Sequence, residues 1–260
     1  MPMQLWTKEQ LKLAFHLYFQ LPFGKLHSRN PEIIELASLI GRTPGAVAMK
    51  LSNLASLDPQ ITSTGRKGLS GSSGLDRQVW AEFHENWEKL ADESEKLRRK
   101  LGGSASGRLQ IVADDDFSKD YFGETQPRLI NQRKKQYLFR RVVLSGYGEK
   151  CCMSGLSEPQ LLVASHIVPW SKDKENRLNP SNGLCLSAIH DRAFDKGLIT
   201  ISSDFRVIVS RKLRQKSGDF LRDAILSLHH KQIALPDRFQ PKAEFLDWHR
   251  TTWFVDNRGV

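Results

Sequence analysis

Only three cysteines stand among the 260 residues, and two of them, Cys151 and Cys152, are adjacent. That excludes a disulfide framework as the source of stability. No apolar run approaches the ~20 residues of a membrane-spanning helix. The first residues, Met1-Pro2-Met3-Gln4-Leu5-Trp6, lack the apolar core of a secretory signal. The expectation is a soluble, cytoplasmic protein with no membrane partner. Acid is also scarce: 29 Asp and Glu face 39 Lys and Arg, for a net charge of +10. A polyanion is the partner this favours, nucleic acid first, although many basic proteins bind none. Hydrophobic residues make up 39% of the chain, enough for two ordinary cores at this length.

Residues 7–21 read as a helix with Thr7 and Gln10 as a capping box and Leu11, Ala14, Leu17, Tyr18 and Leu21 at helical spacing. Residues 30–57 read as helix, turn, helix. Asn30-Pro31 opens the first helix, Gly41 breaks it, and Thr43-Pro44 opens the second, whose stripe is Val47, Leu51 and Leu54. In that reading Arg42, Thr43, Lys50 and Asn53 face outward and are candidates for contact with bases and phosphates. The alternative is a helical hairpin with a solvated polar face. Residues 59–74 are rich in Gly and Ser and read either as a wing that puts Arg66 and Lys67 on phosphate or as a passive loop. A long helix over 75–101 keeps Trp80, Phe83, Trp87, Leu90 and Leu97 on one face, more in the manner of a core than of a stacking platform. Residues 102–126 have linker composition and set the boundary between domains at 1–101 and 127–260. The next helix carries Arg133, Lys134 and Lys135, either a phosphate track or a solvated face.

The most informative stretch is 161–201. Leu161–Ala164 reads as a strand ending in Ser165-His166, Gly183–Leu186 as a second strand introduced by Asn182, and Ser187–Asp195 as a short helix stopped by Gly197. A hairpin follows at 198–201 and 206–210, then helices near 219–229 and 242–253. His229, His230 and His249 show no obvious chemistry.

Across Arg133, Gln136, Phe139 and Arg140, then Ser165-His166-Ile167-Val168-Pro169-Trp170, Asn182-Gly183-Leu184 and His190-Asp191-Arg192-Ala193-Phe194-Asp195, the chain resembles bacterial HNH endonucleases of restriction type. The likeness covers roughly 128–255. It implies an α+β fold: a helical or winged helix-turn-helix domain followed by a ββα-metal nuclease domain. By the resemblance His166 is the general base and Asn182 braces its loop. The helix holds one divalent ion, Mg²⁺ or Mn²⁺, through Asp191 and Asp195, with His190 a weaker candidate, and Arg192 neutralises developing charge. Ser165 departs from the family, which often has a ligand there. The family's two Cys-x-x-Cys pairs fall here on Cys152, Gly155, Ser187 and His190, so no structural zinc is expected.

The resemblance implies a metal-dependent endonuclease acting on double-stranded DNA, with the N-terminal domain selecting the site and a homodimer one route to a double-strand break. Two readings stay beside it: a modification-dependent restriction enzyme, and a non-catalytic DNA-binding regulator with a decayed finger.

Overall fold

In the computed structural model, residues 5–84, 86–102 and 127–257 are described, the side chains of 127–133 excepted. The chain forms two compact units, Met1–Leu138 and Phe139–Val260. The expected linker at 102–126 lies almost wholly outside the described residues, and the units part within a helix.

The first unit is helical: α1 (Lys8–Gln20), α2 (Pro31–Leu39), α3 (Pro44–Ala55), α4 (Pro59–Thr62), α5 (Gly74–Phe83), α6 (Trp87–Lys100) and the first part of α7 (Pro127–Gly146). The helix starts are where the capping residues put them. Thr7 and Gln10 form the capping box on α1, Asn30 caps α2 ahead of Pro31, and Thr43 caps α3 ahead of Pro44. The helix expected over 75–101 is two helices, because Asn86 caps Lys89 and starts α6 afresh. Phe15, Tyr18 and Phe19 of α1 pack edge-on or tilted against one another and Trp80, and Phe19 also meets Trp87. The aromatic stripe is therefore core.

No strand occurs among the described residues of this unit, so the Gly/Ser segment is not a wing. It runs back along α3: Leu69 N–H donates to the Ser52 carbonyl and Asn53 Nδ2 donates to the Gly71 carbonyl. That cover overturns the outward placement of Lys50 and Asn53. Both are buried, and Lys50 Nζ lies 3.0 and 2.9 Å from the carboxylate oxygens of Asp76, which is fully buried at the start of α5. A lysine so deep needs a counter-charge, and Asp76 supplies it.

The second unit holds the rest of α7, the antiparallel pair β1 (Leu162–His166) and β2 (Gly183–Ser187), then α8 (Ala188–Asp195). A second pair follows, β3 (Ile199–Ile201) with β4 (Val207–Val209), then α9 (Arg211–Arg214), α10 (Asp219–Ala224) and α11 (Ala243–Trp248). Leu184, Cys185 and Leu186 of β2 are fully buried, as are Phe194 of α8, Ile199 and Ile201 of β3, and Val207 and Val209 of β4. Gly197, at φ 67°, ends α8; a Cβ there would stand 2.2 Å from the Trp253 carbonyl, so only glycine lets the C-terminal segment lie against the helix end. The two last helices are shorter than expected. One stops at Ala224 and passes into a 3-10 turn at Leu226–Leu228, the other into a π turn at His249–Trp253.

Candidate active site

β1 and β2 pair from Leu162 with Ser187 to His166 with Gly183. Ser187 then caps α8, its hydroxyl accepting from His190 N–H. Strand, loop, strand and helix are thus one local unit, in the order the sequence suggested. The hairpin is pressed closely on α7: a Cβ at Gly183 would meet Val143 Cγ2 at 2.5 Å and Phe139 Cζ at 2.9 Å. Opposite Gly183 stands His166, and its ring stacks on Phe139 with centroids 3.8 Å apart and planes 9° from parallel. Trp170 meets the same ring edge-on at 5.6 Å.

The third constraint on His166 is a hydrogen bond. Its Nε2 lies 3.0 Å from the Arg177 carbonyl oxygen. A carbonyl only accepts, so Nε2 carries the proton and the lone pair is on Nδ1. No partner for Nδ1 occurs among the described residues. Burial lowers the pKa of His166, with the Arg177 carbonyl opposing it only in part. The imidazole is therefore neutral at pH 7, with a fixed tautomer and an open nitrogen.

Asn182 lies at the other end of the loop, 1% exposed. Its Oδ1 accepts from Val168 N–H at 2.8 Å, and its Nδ2 donates to the carbonyls of Val168 at 3.1 Å and Asn176 at 3.4 Å. One amide thus ties together both ends of the loop that leaves His166. Within the loop, Asp173 accepts from the backbone of Glu175 and Asn176, and Arg177 Nε donates to the Trp170 carbonyl. The Arg177 guanidinium also lies over the Trp170 ring. Nothing in the sequence marked Arg177 or Asp173, because their work is done through backbone atoms.

Asp191 and Asp195 lie four residues apart on α8, and their charges interact. Partial burial, and next the Asp191 carboxylate, push Asp195 up to about 6, against the pull of Arg192 and Lys196. Arg192 is exposed. His190 is a different case and leaves the ligand set. It is buried, its Nε2 meets the Ala224 carbonyl at 2.9 Å, and its Nδ1 faces Ser187 Oγ at 2.9 Å and Cys151 Sγ at 3.3 Å.

That last contact involves the neighbour of Cys152. Cys151, not Cys152, faces His190, and Ser154 bonds the Cys151 thiol. Cys151, Ser154, Ser187 and His190 thus form one hydrogen-bonded group. Burial would raise the Cys151 thiol, but the bonds from His190 and Ser154 outweigh it and hold it at about 6. Cys185, nearby, is pushed up to about 12 by burial and the charge of Cys151.

Among the described residues no three His, Cys, Asp or Glu side chains converge into a metal cage. Two neighbouring carboxylates remain, and they suit a hard ion such as Mg²⁺, which keeps much of its water shell and takes one or two carboxylates. Ser165, just before His166, has a buried hydroxyl with no partner among the described residues.

The remaining predicted contacts divide. Thr43, Arg66 and Lys67 are exposed, with the Thr43 hydroxyl used as a helix cap and Arg66 over the Phe23 ring. Arg42 bonds Gln10 and the Leu5 carbonyl and lies over Trp6, so it is held inside its own unit. Lys134 pairs with Glu95 and Lys135 with Glu88, each at 2.5 Å. The Arg133 side chain lies outside the described residues. His249 is buried between Thr200 and the Phe194 carbonyl, and the half-buried His229 accepts from Val209 N–H through Nδ1.

A comparison with curated proteins finds no match. A comparison with family models does find one, over residues 151–202, to the family described as HNH endonuclease. The matched span opens at Cys151, takes in His166, Asn182 and α8, and closes after β3. On that match, and with this strand-loop-strand-helix unit built around a neutral histidine, the chain carries an HNH endonuclease domain.

Proposed function

We propose that this protein is a metal-dependent endonuclease of restriction type that hydrolyses phosphodiester bonds in double-stranded DNA. The observation that carries the reading is the state of His166: neutral, fixed in one tautomer by the Arg177 carbonyl, with Nδ1 open. A general base needs its lone pair presented and its other nitrogen committed.

In this reading Nδ1 of His166 takes a proton from the attacking water, in line with the departing 3′ oxygen, leaving a 5′-phosphate. Phe139 fixes the plane of the ring, and Asn182 fixes the loop that carries it. Asp191 and Asp195 would hold the divalent ion, Mg²⁺ or Mn²⁺; burial first, and next the Asp191 carboxylate, raise Asp195, and a cation would relieve the repulsion between the two. When bound, that ion supplies Lewis-acid stabilisation of charge on the phosphate and leaving oxygen. Arg192, exposed on the same helix, adds a second positive charge for the phosphate. Site selection falls to the first unit through Arg66, Lys67 and Thr43, not through the covered Lys50 and Asn53.

Plasmid DNA incubated with pure protein in Mg²⁺, in Mn²⁺ and in chelator tests this, with methylated and unmethylated plasmid side by side. Metal-dependent nicking or linearisation is expected, and it should vanish in His166→Ala while DNA affinity stays. No cleavage by wild type in any metal would leave a DNA-binding protein with a decayed finger.

A further inference from the structure

Some surface cations of the second unit sit against acids and others do not. Arg206, Arg222, Lys242 and Arg250 each sit against an acid: Asp204, Asp219 and Asp223, Glu244, and Asp247. Arg211, Lys212, Arg214 and Lys216, in and just beyond α9, are exposed and have no ion pair among the described residues. No Asp or Glu occurs in the sequence between Phe205 and Gly218.

Where α9 sits matters as much as its charge. Ser210 N–H donates to the Leu198 carbonyl at 2.9 Å, which fixes the start of α9 beside the strand that follows α8. The Arg211 backbone N–H donates to the Asp256 carboxylate at 2.9 Å. That C-terminal segment is tied to the end of α8: Trp253 Nε1 donates to the Asp195 carbonyl at 2.7 Å, and Val255 N–H to the Gly197 carbonyl at 3.0 Å. These four cations therefore begin where the helix of Asp191 and Asp195 ends, which itself carries the exposed Arg192 and is followed by Lys196.

We propose that Arg211, Lys212, Arg214 and Lys216 form the track that holds the sugar–phosphate backbone of duplex DNA beside the catalytic helix. The inference rests on the nuclease reading for its substrate. It takes the track away from α7, whose Lys134 and Lys135 would have to give up their carboxylates to bind phosphate. Cations already neutralised by acids release few counterions on binding; these four release theirs in full.

Binding of a fluorescein-labelled DNA duplex, followed by anisotropy in chelator across a range of NaCl, tests the track. Two full-length variants are compared with wild type. One carries Arg211→Gln, Lys212→Gln, Arg214→Gln and Lys216→Gln. The other carries glutamine at the paired cations Arg206, Arg222, Lys242 and Arg250. The first should lose about 0.9 from the slope of log affinity against log salt for each contact removed, and roughly ten- to a hundred-fold in affinity near 0.1 M salt. The second should change the slope far less. An unchanged slope in the first variant overturns the track, as does an equal loss in both, which would make net charge the cause. If the fourfold variant melts early, the two halves, Arg211 with Lys212 and Arg214 with Lys216, are replaced separately, each removing about half the slope change. Because binding is read without metal, a slope loss in a protein that never cuts DNA would sink the nuclease reading alone. Active enzyme with an unaltered slope would sink the track alone.

Discussion

At the scale of single residues, the state of His166 follows from what surrounds it. An exposed histidine titrates near 6.5 and alternates between tautomers. Here burial against Phe139 favours the neutral ring, and the Arg177 carbonyl selects the Nε2–H form. A pH profile of single-turnover cleavage should therefore rise with its midpoint below 6.5 and be flat above. A midpoint above 6.5 would mean that a different group takes the proton. Replacing His166 by alanine should slow cleavage by about 10²–10⁴-fold, the usual worth of a positioned base. Cys151, Ser154, Ser187 and His190 make a second local case. Hydrogen bonds gather them: His190 meets both Cys151 and Ser187, and Ser154 meets Cys151, so that two thiolates in place of the two hydroxyls would add soft ligands to one cysteine and one histidine. The double variant Ser154→Cys, Ser187→Cys should bind one zinc per chain, with a melting temperature that rises on adding the metal. Wild type should do neither, as read by metal analysis and thermal melts.

Element by element, what could be read from the sequence was what short-range chemistry decides. Thr7, Asn30, Thr43 and Ser187 announced helix starts, and the spacing of His166, Asn182 and Asp191 announced the hairpin and helix of the site. Lys50 and Asn53 misled, because what covers α3 comes from α5 and the Gly/Ser segment, beyond the reach of helical periodicity. Met49, 58% exposed, shows which side of α3 is turned outward, and it carries no charge. Lys50→Ala should accordingly cost the fold about 3–5 kcal/mol by stranding Asp76, with no separate effect on DNA affinity. Urea unfolding and anisotropy on the same sample would show it; a stable variant with weak DNA binding would restore Lys50 to the surface role. The fit between α7 and the hairpin was equally invisible, since a strand pattern over Gly183–Leu186 does not say what packs against Gly183. Gly183→Ala should destabilise the protein by about 1–3 kcal/mol by pushing on Phe139 and Val143. Because Phe139 supports the base, cleavage should fall even where the protein remains folded.

For the molecule as a whole, the excess of positive charge was plain in the composition, but its placement was not. Lys134 and Lys135 are absorbed by Glu95, Glu88 and Asp92, while the cations of α9 are left without acids among the described residues. A run of basic residues shows charge; only the folded chain shows which charges are already compensated. If the first unit selects the site, removing residues 1–100 should relax sequence or modification preference more than it lowers the rate on saturating DNA, as digestion of a mixed plasmid library would reveal. Everything above depends on His166 acting through its ring and not through the packing it provides. Chemical rescue separates the two: single-turnover cleavage by His166→Gly, with and without free imidazole. The account predicts an inactive variant that regains metal-dependent cleavage as imidazole fills the space beside Phe139. Cleavage at the wild-type rate without imidazole would contradict it.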